Sequence, residues 1–220
     1  MKILLPNNIE LYYKKVGQGE PLLLLHGNGD SHKELEKLGL ALSSNYTVYL
    51  IDSRDHGKSM HTNKYFVYED LAEDIDYFIG ELQLQNVNII GHSDGAIIAT
   101  LLAMNKKTYL RRIILLGLTL KPEQMKDKWS EWIQAEYEKN KHPLFRLMVE
   151  EPQIEYEDLK KIEIPALVVA GEDDVMEMEN YVEIAKWIPH SQLYIVENED
   201  HMSYVNYTDK FAYRAQEFLK

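Results

Sequence analysis

Ser93 lies between two glycines in Gly91-His92-Ser93-Asp94-Gly95, a G-x-S-x-G pattern. Far downstream, an acidic cluster, Glu172-Asp173-Asp174, follows Gly171, and His201 follows Glu197-Asn198-Glu199-Asp200. A serine hydroxyl is a poor nucleophile at neutral pH. It needs an imidazole to take its proton and a carboxylate to orient that imidazole. Serine, acid and histidine in this chain order could therefore supply attack on an acyl carbon. Such attack creates an oxyanion, which needs preorganised donors. The backbone N–H of Asp94, at the expected start of a helix, is one candidate. The other is that of Asn28, directly after His26-Gly27.

These groups are useful only if the chain between them brings them together. Residues 87–90 read as a short buried strand and 96–104 as a buried helix, so Ser93 falls on a strand–turn–helix corner. Flanking glycines let the helix approach the strand while the serine takes a strained backbone. Further strands are predicted at 9–16, 21–25, 46–51, 110–116, 165–170 and 192–196. Helices are predicted at 32–42, 68–84, 179–187 and 209–220. Strands alternate with helices, and the strands are continuous apolar runs. That pattern predicts an α/β fold, a mostly parallel central sheet flanked by helices. In such a sheet reactive groups collect at the carboxyl ends of strands. Ser93, the 172–174 cluster and His201 each follow a predicted strand.

Residues 118–163 break the rhythm. They are charged, rich in Trp, Tyr and Lys, and carry helix-like pieces at 123–139 and 144–150. We read them as an insertion between two core strands of a single 1–220 domain. Leu118, Trp129, Trp132, Phe145 and Met148 are its candidates for an apolar acyl pocket. The spacing of Trp129, Trp132 and Tyr137 also fits packing along one helical face.

Bulk composition narrows the function classes. The 220 residues carry 24 Lys and Arg against 36 Asp and Glu, a net charge of −12. That balance disfavours nucleic acid and anionic membranes as partners. There are no cysteines, which excludes disulfides and thiolate metal sites. The N-terminal apolar run is too short for a signal peptide, and none is long enough to span a bilayer. A cytoplasmic protein is expected. The histidines and acids lack metal-binding spacing, and Gly27-Asn28-Gly29 lacks a P-loop lysine, so neither metal nor cofactor is expected. Of the eight histidines, His201 alone follows the last strand. His26 is expected to order its own loop, His56 and His61 to lie in a loop, and His92 to point away from its neighbour Ser93. His142 and His190 adjoin prolines as surface turns.

Four segments together resemble the α/β-hydrolase fold superfamily, in its small esterase-like branch. They are His26-Gly27-Asn28-Gly29; Asp52-Ser53-Arg54-Asp55-His56-Gly57-Lys58-Ser59, similar to the family's D-x-R-G-x-G-x-S loop; Gly91-His92-Ser93-Asp94-Gly95; and Gly171-Glu172-Asp173-Asp174 with His201. The resemblance implies Ser93 as nucleophile, His201 as base and, by its spacing from Gly171, Asp174 as acid over Asp173 and Glu172. It also implies that 118–163 caps the site. Asp55 departs from the family's glycine, and the cap is small. The expected function is hydrolysis of a small-molecule ester or related acyl compound. A C–C bond hydrolase, lactonase or thioesterase with the same triad is an alternative, as is a non-catalytic ligand receptor.

Overall fold

The four consecutive leucines of β3 (Glu20–Leu25) are all buried, which requires that both faces of the strand be covered. In the computed structural model, which describes residues 1–62 and 64–220, they are. β3 pairs in parallel with β4 (Tyr46–Ile51) on one side and β5 (Val87–His92) on the other. β6 (Leu110–Leu116), β7 (Ala166–Asp173) and β8 (Ser191–Asp200) extend the parallel sheet. β1 (Lys2–Leu4) and β2 (Glu10–Val16) add an antiparallel edge, giving the order β1-β2-β4-β3-β5-β6-β7-β8. This is the predicted mostly parallel α/β architecture. β1 had no counterpart in the sequence reading; three residues at an edge leave no periodic signal.

Strand side chains alternate between two apolar layers. Leu23, Ile89, Ile113 and Val168 face one, with α2 (Tyr68–Glu81), α3 (Asp94–Met104) and α6 (Met178–Trp187). Leu24, Ile90, Ile114 and Val169 face the other, with α1 (Glu36–Leu42) and α7 (Ala212–Leu219). α2 buries the stripe Leu71, Ile75, Phe78 and Ile79, spaced as a helix face requires. α3 is buried on every side from Asp94 to Ala103, so the helix behind Ser93 has no solvent face.

Several boundaries differ from the predicted ones, and two of the differences have a clear physical reason. Residues 32–35 do not join α1, because the Asp52 carboxylate takes both the backbone N–H of His32, at 2.5 Å, and its Nδ1, at 2.7 Å. β8 outlasts its predicted end. A register shift opposite Gly171 lets it continue to a pairing between Asp173 and Asp200. That extension delivers His201 beside Asp174.

Between β6 and β7 lie α4 (Asp127–Asn140) and α5 (Pro143–Glu150), close to the predicted helical pieces. Lys141 ends α4 in a left-handed conformation, φ 51°, and Pro143 opens α5. Among the described residues no helix is long and apolar enough to cross a membrane.

Candidate active site

Ser93 occupies the corner between β5 and α3 with φ 51° and ψ −113°, outside the regions a non-glycine residue prefers. Strain of this kind costs on the order of 1–3 kcal/mol and persists only where surrounding packing imposes it. Here the packing is explicit. A Cβ on Gly91 would lie 2.1 Å from the Gly95 carbonyl oxygen, and one on Gly95 would lie 2.1 Å from that of Leu25. Only glycines permit α3 to press this closely on the sheet, and that approach holds Ser93 up. Its hydroxyl does not cap α3 and makes no hydrogen bond among the described residues.

His201 is buried at the end of β8 and donates through Nδ1 to Asp174 Oδ1 at 2.6 Å. Asp174 Oδ1 also accepts from the Tyr181 hydroxyl at 2.8 Å and the Val175 N–H at 2.7 Å. Its Oδ2 accepts from the Gly171 N–H at 2.9 Å. Burial alone would raise the Asp174 carboxyl. The hydrogen bond and charge of His201, with the two backbone donors, outweigh it and depress the group to about 2. The competing acids point elsewhere: Asp173 is exposed and pairs with Lys126 at 3.0 Å, and exposed Glu172 accepts from the Asn198 N–H at 2.8 Å.

Ser93 and His201 line one cavity of about 410 Å³, although no hydrogen bond joins them. Such contacts are commonly long without substrate. Asn28 and Asp94 line the same cavity, and among the described residues neither backbone N–H is taken by another backbone group. Asp94 is the first residue of α3, where unpaired N–H groups and the helix dipole favour negative charge. The side chains of the two residues bond to each other, Asn28 Nδ2 donating to Asp94 Oδ2 at 2.9 Å. The Tyr68 hydroxyl donates to Asp94 Oδ1 at 2.7 Å, and Asn28 Nδ2 also reaches the Leu144 carbonyl on α5 at 3.2 Å. Burial pushes the Asp94 carboxyl upward.

Trp129, Trp132, Phe145 and Met148 line the cavity, Trp132 standing edge-on to both Trp129 and Phe145. Leu118 does not. It is fully buried in the apolar layer beneath, and Thr119 lines the cavity in its place. Leu118 follows directly after β6 and Gly117, where the chain still belongs to the sheet's packing. Among the described residues no Lys or Arg lines the cavity, whereas Asp30, Asp94 and Glu151 do.

The remaining motif residues hold loops. His26 accepts the Ser53 N–H at Nε2, 3.1 Å, and its Nδ1 reaches the Gly27 carbonyl at 2.7 Å, ordering the loop before Asn28. Asp55 adopts φ 60°, the conformation that glycine would supply, and its carboxylate accepts from Thr62 N and Oγ1. Asp is among the few side chains that tolerate this region. Tyr181, Gly117, Glu34 and the side-chain role of His92 were invisible in the sequence. Tyr181 meets Asp174 only because α6 folds back over β7, a relation with no local pattern.

Three comparisons bear on this geometry. A family model described as alpha/beta hydrolase fold matches residues 20–158. The chain is 26% identical to (E)-2-((N-methylformamido)methylene)succinate hydrolase from Acinetobacter baylyi, over 98% of this chain and 96% of that protein. It is 25% identical to serine hydrolase BPHL from Homo sapiens, over 97% of this chain and 84% of that one. Among solved structures, an esterase from Exiguobacterium antarcticum superposes with a TM-score of 0.86 at 20% identity, covering 100% of this chain and 98% of that chain. With more than half its length under the family model, and this strand order around Ser93, the chain belongs to the α/β-hydrolase fold family.

Proposed function

We propose that this hydrolase-family protein cleaves a small, uncharged ester or related acyl compound through a covalent acyl-enzyme on Ser93. The observation that carries the reading is the buried His201–Asp174 hydrogen bond opening onto the same cavity as a strained serine at a helix N-terminus. Ser93 Oγ attacks the carbonyl carbon while His201 Nε2 takes the hydroxyl proton. Asp174 holds the tautomer that carries a proton on Nδ1 and stabilises the imidazolium. The N–H groups of Asn28 and Asp94 stabilise the oxyanion. The imidazolium returns the proton to the leaving alkoxide. Water, deprotonated by the same imidazole, then releases the acid and restores Ser93. Residues 118–163 act as the cap, with Trp129, Trp132, Phe145 and Met148 forming the acyl wall.

The absence of Lys and Arg among the described lining residues supports an uncharged acyl group. A carboxylate-bearing substrate, such as the succinate derivative named for the A. baylyi relative, would find no lysine or arginine among the described lining residues to replace its hydration.

The test compares the parent with Ser93→Ala on short p-nitrophenyl esters, with fluorophosphonate labelling in parallel. The reading expects labelling at Ser93 and a loss of about 10³-fold or more in kcat for the variant. Equal turnover by the two proteins would reject it. An unlabelled Ser93 in a protein that binds small ligands would favour a receptor.

A further inference from the structure

Glu34 and His92 are both fully buried in the wall of the cavity, and the catalytic reading gives neither a role. A pair of ionisable groups in such a place is costly unless its hydrogen bonds are satisfied. Here every one is. His92 Nδ1 meets Glu34 Oε1, and His92 Nε2 meets the His201 carbonyl oxygen at 2.9 Å. Glu34 Oε2 accepts the Gly27 N–H at 2.8 Å. The His92 and His201 rings lie 4.8 Å apart between centroids.

The proton count follows from the acceptors. A carbonyl oxygen can only accept, so Nε2 of His92 carries a hydrogen. A further proton must then lie between Nδ1 and Glu34. Burial raises Glu34 and lowers His92, but each partner's charge and hydrogen bond reverses the shift, leaving Glu34 low and His92 high. With that one shared proton the pair carries no net charge.

We propose that Glu34 and His92 are positioning residues that brace the turn bearing His201 against the loop bearing Asn28, fixing base, nucleophile and oxyanion donors relative to one another. The brace spans the whole machinery. Ser93 is the chain neighbour of His92, the carbonyl of His201 is held at one end, and Gly27, which precedes Asn28, is held at the other. It rests on the function proposed above. Misplacing a reacting group by about 1 Å can cost on the order of 10²-fold in rate.

The experiment separates positioning from simple structural support. The double variant Glu34→Met/His92→Phe leaves the Gly27 N–H and the His201 carbonyl without their partners, so it is expected to fold with a lowered melting temperature, with KM little changed and kcat lower by about 10²-fold. Glu34→Gln can donate one N–H to a neutral His92 and still accept from Gly27, so it should recover kcat to within about fivefold of the parent. Glu34→Asp, one methylene shorter, cannot reach both partners and should lose about tenfold. It decides the matter should the double variant not fold. Parental kcat in the folded double variant, or in Glu34→Asp, overturns the proposal. So does a Glu34→Gln variant that falls as far as the double variant. Ser93→Ala run alongside distinguishes the two levels. If it turns over like the parent, the catalytic reading has failed rather than the brace.

Discussion

Gly117 makes room for His201. A Cβ built on Gly117 would lie 2.5 Å from Cε1 of the imidazole and 2.6 Å from Nδ1, and the residue has φ 62°. The ring cannot retreat without leaving Asp174, to which it is bonded at 2.6 Å. Gly117→Ala is thus expected to push the base out of line and lower kcat by about 10²-fold or more. The left-handed backbone adds roughly 1–2 kcal/mol of destabilisation. Steady-state kinetics and thermal melting check both parts; a parental kcat would show that the ring position does not matter.

Asp174→Asn removes the charge that holds the His201 tautomer. A fall of about 10⁴ in kcat is expected. The same change should alter acid stability. The folded carboxyl lies at about 2 against an ordinary 3.8, so its contribution to stability is fully present above the ordinary value and is lost as pH falls from 3.8 toward about 2. The shift corresponds to on the order of 2 kcal/mol. Urea unfolding of parent and variant should therefore converge below pH 4. A stability gap that stays constant down to pH 2 would contradict this.

Tyr181→Phe tests the support of that acid from α6. The hydroxyl donates to the same Asp174 oxygen that accepts from His201. Its loss leaves the carboxylate two backbone donors and the imidazole. Roughly 1 kcal/mol of stability should go, and with it several-fold in kcat at nearly constant KM. Chemical denaturation with kinetics on one ester measures both. A change in KM alone would place Tyr181 in substrate binding.

Phe145→Ala and Leu118→Ala should separate wall from core. Phe145 lines the cavity, so its truncation should shift the preferred acyl length upward on a p-nitrophenyl ester series. Leu118 is fully buried away from it, so its truncation should cost about 2–5 kcal/mol of stability and leave the chain-length profile alone. The reverse pattern would exchange their roles.

Much of the architecture was legible because it rests on local patterns. The boundaries of β4 and β6 and the start of α2 coincide with the predicted segments, since a buried parallel strand must be apolar throughout and an amphipathic helix must repeat its stripe. The corner at Ser93 was equally visible. A helix pressed onto a strand leaves no space for a Cβ, and that shows as Gly91 and Gly95. Where the sequence reading placed helix at residues 32–35, a long-range bond from the Asp52 carboxylate prevailed over local periodicity.

The sequence by itself determined the order of strands and helices from β2 onward, the serine corner and a short set of acids and imidazoles, because these follow from side-chain size, polarity and backbone preference. Only the tertiary structure showed the hydrogen bond that turns Asp174, the acid implied by the family spacing, toward His201, that Leu118 belongs to the core, and that Tyr181, Gly117, Glu34 and His92 surround the site. Those relations depend on the register of β8 against β7 and on the packing of distant segments, and contact across that distance has no periodicity for a sequence to display.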